Sequence, residues 1–244
     1  MASDRVQWNG FCNGALPSQV YDIQLSTPVQ LIRQTGTLGQ EQKAIIYQPH
    51  ALVVDSNGNL VLASDGCPLQ ILSPTGDFIR FLGKEKIITA LALSPQGDII
   101  GINTKHLFKI DPVQRSETTL CYFQDLGINI DYHDKLAVNR SGEIFISCQS
   151  RGSIAVFSDH GTFLREMPVI ENQSLHNEIY DITFGPDDRL YVALMEFQKG
   201  IPVGMIKIFS PDGVLVQTIS NLYGGGPIPL PALGEIGIFS DGSI

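Results

Sequence analysis

Five stretches of this 244-residue chain open on a polar or titratable residue at a matching place in a recurring pattern: His50, Thr89, Asp134, Tyr180 with Asp181, and Glu235. Each precedes an apolar run, and Asp131, His133, Asn177 and Glu178 lie a few positions upstream of two of them. If the five starts converge, three carboxylates and an imidazole share one small volume. Such a group can bind Ca2+, which takes about six to eight oxygen ligands. It can equally supply an acid and a base whose pKa values are split by like-charge repulsion.

His50, Asp134, Asp181 and Glu235 are therefore candidate catalytic residues, joined by the loop histidines His133 and His176 as candidate bases. Trp8, Phe11, Tyr47, Tyr122, Tyr180 and Tyr223 could wall an apolar ligand pocket. The plainer alternatives are a channel lined by solvated polar groups, histidines that only meet water, and aromatics that pack loops onto the scaffold. No GxSxG or HExxH motif occurs, and the GGGP stretch at 224–227 completes no phosphate-binding fingerprint.

The elements that would position these residues repeat with a period of about 40 residues, the length of one four-stranded propeller blade. The first half of each repeat is strand, tight turn, strand: ALVVDSNGNLVLAS at 51–64, ALALSPQGDIIGIN at 90–103, KLAVNRSGEIFISC at 135–148 and DITFGPDDRLYVAL at 181–194. The turn tripeptides SNG, PQG, RSG and PDD supply positions that tolerate positive φ. A second hairpin follows at 69–83, 153–167 and 205–219, with a looser copy at 106–121. Alternating apolar and polar residues rich in Val, Ile and Phe predict strands packed between neighbouring blades.

The two ends complement each other. EIGIFSDGSI at 235–244 reads as a first half, and YDIQLSTPVQLIRQTG at 21–36 as a second half. The expectation is one all-β domain over 1–244, a β-propeller of five four-stranded blades with the last shared between the termini; six blades is the alternative. Joining the ends in one blade removes open sheet edges. Links from second to third strand, and from one blade to the next, are long and share a face. Binding and catalysis are expected there, because irregular loops raised on a rigid scaffold carry function.

The pairing of G-D/N-L-Y-V-A hairpins with F-S-P-D-G hairpins resembles the NHL repeat and, more distantly, the SMP-30/gluconolactonase and strictosidine-synthase-like propellers. The third strands, in CPLQIL and GSIAVF, lack the Asn and Arg that usually open that strand in NHL repeats. The SMP-30-like resemblance implies a metal at the channel mouth, held by Glu, Asn and Asp. Glu235, Asn177 and Asp181 could play those parts here, with Ca2+ as the implied ion.

Composition narrows the partners. Sixteen Lys and Arg against 25 Asp and Glu give a net charge of −9, which repels phosphate backbones and anionic lipid at long range. Neither nucleic acid nor membrane is expected. The start, MASDRVQWNG, has no apolar signal core, so the expected location is the cytoplasm. Cys12, Cys67, Cys121 and Cys148 form no CxxC pair and are expected as free thiols. Two readings follow: an enzyme acting on a small, partly apolar molecule by acid–base or metal-assisted chemistry such as cyclisation, isomerisation or lactone hydrolysis, and a non-catalytic scaffold gripping a protein or ligand. The clustering of His and carboxylates on one face favours the enzyme.

Overall fold

The computed structural model describes residues 49–85, 87–171, 177–198, 201–220 and 236–238. They form four four-stranded antiparallel sheets, each built from strands consecutive in the chain. Blade 1 holds β1 (Pro49–Val54), β2 (Leu60–Ser64), β3 (Leu69–Leu72) and β4 (Phe78–Leu82). Blade 2 holds β5 (Ala90–Leu93), β6 (Ile99–Ile102), β7 (His106–Asp111) and β8 (Ser116–Tyr122). Blade 3 holds β9 (Leu136–Val138), β10 (Ile144–Cys148), β11 (Ser153–Phe157) and β12 (Phe163–Pro168). Blade 4 holds β13 (Glu178–Phe184), β14 (Leu190–Gln198), β15 (Ile201–Phe209) and β16 (Leu215–Ser220).

This is the β-propeller of four-stranded blades that the repeats predict. The described residues show four blades, not the five or six expected; the segments expected to form a shared fifth blade, 21–36 and 235–244, lie outside the described residues except for Ile236–Ile238.

The turns close as their residues require. In the first hairpins of blades 1 to 3, Gly58, Gly97 and Gly142 adopt φ of 77°, 88° and 90° and donate to Asp55, Ser94 and Asn139 carbonyls. Blade 4 has no glycine there; Asp188 takes φ 62° and donates to the Gly185 carbonyl, a conformation that Asp tolerates better than most residues.

Apolar side chains on both faces of the blades make the core. Val61, Ile71, Leu91 and Phe108 pack between blades 1 and 2. Ile102, Phe123, Ile146 and Phe157 pack between blades 2 and 3, and Phe145, Val156, Val192 and Leu194 between blades 3 and 4. Such two-sided burial explains why IFISC and SIAVF are buried throughout rather than alternately. The far face of blade 4 carries Tyr191, Ile206 and Ile208, against which Ile236 and Ile238 pack. The opposing end of the series is open: Leu52 and Val54 on β1 are 55% and 53% exposed.

Cys67, Cys121 and Cys148 are free thiols. Burial, with the Asp134 charge nearby, pushes the Cys148 thiol up to about 12, so it stays protonated and inert. No helix among the described residues is long and apolar enough to cross a membrane.

Candidate functional site

The first strand of every described blade runs along a central cavity of about 660 Å3. Its walls are apolar, with Leu52, Leu91, Leu136, Ile182 and Ile236 among them, and its polar groups are His50, Thr89, Lys135, Asp181 and Thr183. A second recess of about 180 Å3 lies among the turns of the opposite face, and its cation, Lys109, is already paired with Asp98 at 3.6 Å. The larger cavity is the candidate site.

Strand register decides which mouth residues reach it. The residue four positions before the turn is Ala51, Ala90, Lys135 and Asp181 in the four blades, as the ladders ending at Val54, Leu93, Val138 and Phe184 show. All four line the cavity. His50 and Tyr180 occupy the preceding position, and in both blades 1 and 4 the ladder shifts there, between Pro49 and Ala51 and between Ile179 and Asp181. A bulge lets an extra residue enter a strand and re-aims its side chain. His50 thereby joins the cavity lining.

His50 does not act alone. Its Nε2 lies 2.7 Å from Asp65 Oδ1, a residue of the β2–β3 link. A carboxylate can only accept, so this contact places the imidazole proton on Nε2 and leaves Nδ1 as the basic nitrogen. The pair is about one-third exposed, within reach of solvent and solute. Asp65 carries no sequence signal, because a turn aspartate looks like any other until the strands it joins bring it to the mouth.

Asp134 takes a different place from that expected of a catalytic group. It is 1% exposed and is not a cavity-lining residue. Its Oδ2 accepts the Asp131 N–H at 2.8 Å, and Oδ1 accepts the Ser147 hydroxyl at 3.0 Å and the Gln149 N–H at 2.9 Å. Desolvation raises its pKa to about 6 despite the Asp131 and Gln149 amide hydrogen bonds that oppose the rise. It stitches the entry of β9 to the end of β10. Thr89 does the analogous work in blade 2, donating from Oγ1 to the Ile102 carbonyl at 3.2 Å.

Asp181 lines the cavity, and its carboxylate accepts the Ile182 N–H at 2.9 Å and the Ile236 N–H at 2.8 Å. It therefore ties the 236–238 segment to blade 4. Asn177 Oδ1 accepts the Phe197 N–H at 2.9 Å. Two of the three residues suggested for a metal thus already receive backbone N–H donors on their ligating oxygens, and a lysine shares the Asp181 layer. Among the described residues no group of three His, Cys, Asp or Glu side chains is placed to hold a metal ion.

His133 is exposed in the blade 2–3 link, and its N–H donates to Asp131 Oδ1. Tyr122 is 48% exposed and its ring stacks 5.6 Å from that of His106 rather than entering the cavity. Tyr180 is half-buried, with its hydroxyl 3.8 Å from Met195 Sδ. Glu235, His176, Trp8, Phe11, Tyr47 and Tyr223 lie outside the described residues. Lys135 is the cavity residue that sequence reading passed over: the eye falls on the acid beside it.

No protein-family model matches the chain, and no curated protein matches it. Solved structures do match in fold. A catalytically inactive virginiamycin B lyase from Staphylococcus aureus, solved with quinupristin, superposes with a TM-score of 0.55 at 13% identity, over 77% of this chain and 58% of that one. An auxiliary nutrient binding protein from Bacteroides thetaiotaomicron gives 0.52 at 11% identity, over 72% of this chain and 42% of that one. A structure described as a gluconolactonase gives 0.50 at 12%, over 68% and 61%. This chain thus spans little more than half of the lyase and less than half of the nutrient binding protein. At these identities the likeness shows the fold alone, a β-propeller. That architecture hosts both enzymes and binding proteins.

Proposed function

We propose that this propeller is an enzyme that binds a small, partly apolar molecule in the central cavity and moves a proton on it, with His50 as the base and Asp65 as the residue that orients it. The single observation that carries this reading is the His50–Asp65 contact of 2.7 Å at the rim of a cavity of about 660 Å3 that also has apolar walls. A positioned imidazole contributes roughly 10²–10⁴-fold to a proton transfer, and apolar walls with few polar groups are what a small-molecule site requires. Elimination, isomerisation and lactone opening all need this step; the choice among them rests with the substrate. Asp134, Asp181 and His133 take no proton in this reading: two are bound up in backbone hydrogen bonds and the third stands away from the cavity.

Five blades belong to the same proposal. The 235–244 and 21–36 segments supply the two halves of the last blade, supported by the apolar far face of blade 4, on which Ile236 and Ile238 already pack. The remaining expectations, a cytoplasmic protein that meets neither nucleic acid nor membrane, rest on the net charge of −9 and stand as part of this reading. A Ca2+ ion at the mouth would draw on Asp181 and Glu235, and is the competing account of the same carboxylates.

The test is turnover of a panel of small lactones and cyclic esters followed by mass spectrometry, with His50→Ala and Asp65→Asn alongside. Turnover lost in His50→Ala and reduced in Asp65→Asn supports the reading. Turnover that survives His50→Ala overturns it.

A further inference from the structure

Resting on the reading of the cavity as the binding site, we infer that its ligand is an amphiphilic anion, an apolar body bearing a carboxylate or like group, and that Lys135 is the residue that selects it. Lys135 is half-buried and lines the cavity, where it is the one cation among the described residues. Its ammonium makes no ion pair or hydrogen bond with any described residue. By contrast the buried Lys207 meets Glu196 Oε1 and the Val169 carbonyl, each at 2.7 Å. A lysine can lay its stem along apolar surface while its head seeks a polar partner. Here Leu91, Leu136 and Ile182 are among the residues that line the same cavity, and no described residue pairs the ammonium.

The backbone that carries Lys135 is held on both sides. Its N–H donates to Ser147 Oγ at 2.7 Å, and its carbonyl accepts the Ser147 N–H at 3.0 Å. The Ser147 hydroxyl in turn donates to Asp134. A group fixed before binding loses less entropy on capture. The same layer holds Ala51 and Ala90, whose small side chains leave space in the cavity that Lys135 lines. Thr89 and Thr183 also line the cavity. Asp181, in the same layer, faces the ligand with its charge already met by two amide N–H groups.

The molecule's charge of −9 works against an anion at a distance, but salt screens such repulsion beyond about 8–10 Å. Inside that range an unpaired ammonium dominates. One charge-assisted contact is worth about tenfold or more in affinity.

Two dyes of one aromatic frame test this: 1-anilinonaphthalene-8-sulfonate, an amphiphilic anion, and N-phenyl-1-naphthylamine, the same body without the charge. Fluorescence titration of the full chain should show the anion binding about tenfold tighter. Lys135→Gln should erase that difference and leave the neutral dye unchanged, Lys135→Arg should restore it, and dodecanoate should displace the anionic dye. Leu52→Gln, at an exposed wall position, should weaken both dyes. Equal affinities in the wild type, or an anion affinity indifferent to Lys135→Gln, overturn the anion inference. If Leu52→Gln still weakens both in that case, the cavity reading survives it. Binding of neither dye, or binding indifferent to Leu52→Gln, overturns both.

Discussion

Asp134 and Lys135 are neighbours in the chain and serve opposite surfaces. Asp134 is buried under three hydrogen-bond donors from the β9 entry and the end of β10, while Lys135 lines the central cavity with its ammonium unpaired among the described residues. Both residues precede β9, so the chain's entry to that strand sets which of the two meets the cavity.

The buried carboxyl of Asp134 predicts a pH dependence. Its ordinary value of 3.8 is raised to about 6 in the fold. Between these values the native chain holds a proton that the unfolded chain has lost. Stability from the protonated form is therefore complete below pH ~4 and fades as pH rises through about 6, by a total on the order of 3 kcal/mol. Urea unfolding measured across this range should show that fall in the wild type and a flatter profile in Asp134→Asn. Identical profiles would mean the carboxyl titrates elsewhere.

Asp134→Ala should in addition leave the Ser147 hydroxyl and two amide N–H groups without their acceptor. Each orphaned donor costs about 1–3 kcal/mol where water cannot reach it, so a loss of at least 2 kcal/mol is expected from the same titrations.

Asp181→Ala should free the Ile236 N–H that its carboxylate accepts. Hydrogen exchange at 236–238 should speed up, while exchange in β10 and β11, packed between blades 2, 3 and 4, should hold. Protection at 236 that is unaffected by the substitution would show that the apolar contacts of Ile236 and Ile238 suffice.

Gly101→Ala should destabilise blade 2. A Cβ there would stand 2.3 Å from Phe108 Cζ, and Phe108 is fully buried between blades 1 and 2. Overpacking of this kind costs about 1–3 kcal/mol. Gly101→Ala combined with Phe108→Leu should recover part of the loss, and a double variant no better than the sum of the singles would place the strain elsewhere.

Thermal melting after EDTA, with and without added Ca2+, should give one midpoint, because Asp181 and Asn177 already receive N–H donors and Lys135 shares the Asp181 layer. A ligand of the native state raises the midpoint by mass action. A rise with Ca2+ would therefore replace the anion by a cation at this mouth.

Read alone, the chain determined its own blades. Alternation with period two and turns built on Ser, Asn, Asp and Gly are local signals, and the hairpins expected at 51–64, 90–103, 135–148 and 181–194 form at those places. Loop length and histidine placement pointed to one face for a site, an expectation that belongs to the proposed function. Which side chains enter the cavity was decided only in three dimensions. Bulges at His50 and Tyr180, the reach of His50 to Asp65 across fifteen residues, and the placing of Lys135 on the cavity and of Asp134 in the buried hydrogen bonds at the end of β10 all depend on strand pairing and on contacts between distant segments. A repeat aligned by eye carries no such information, since one residue of register is invisible to a pattern of apolar runs and decisive for the face each side chain meets.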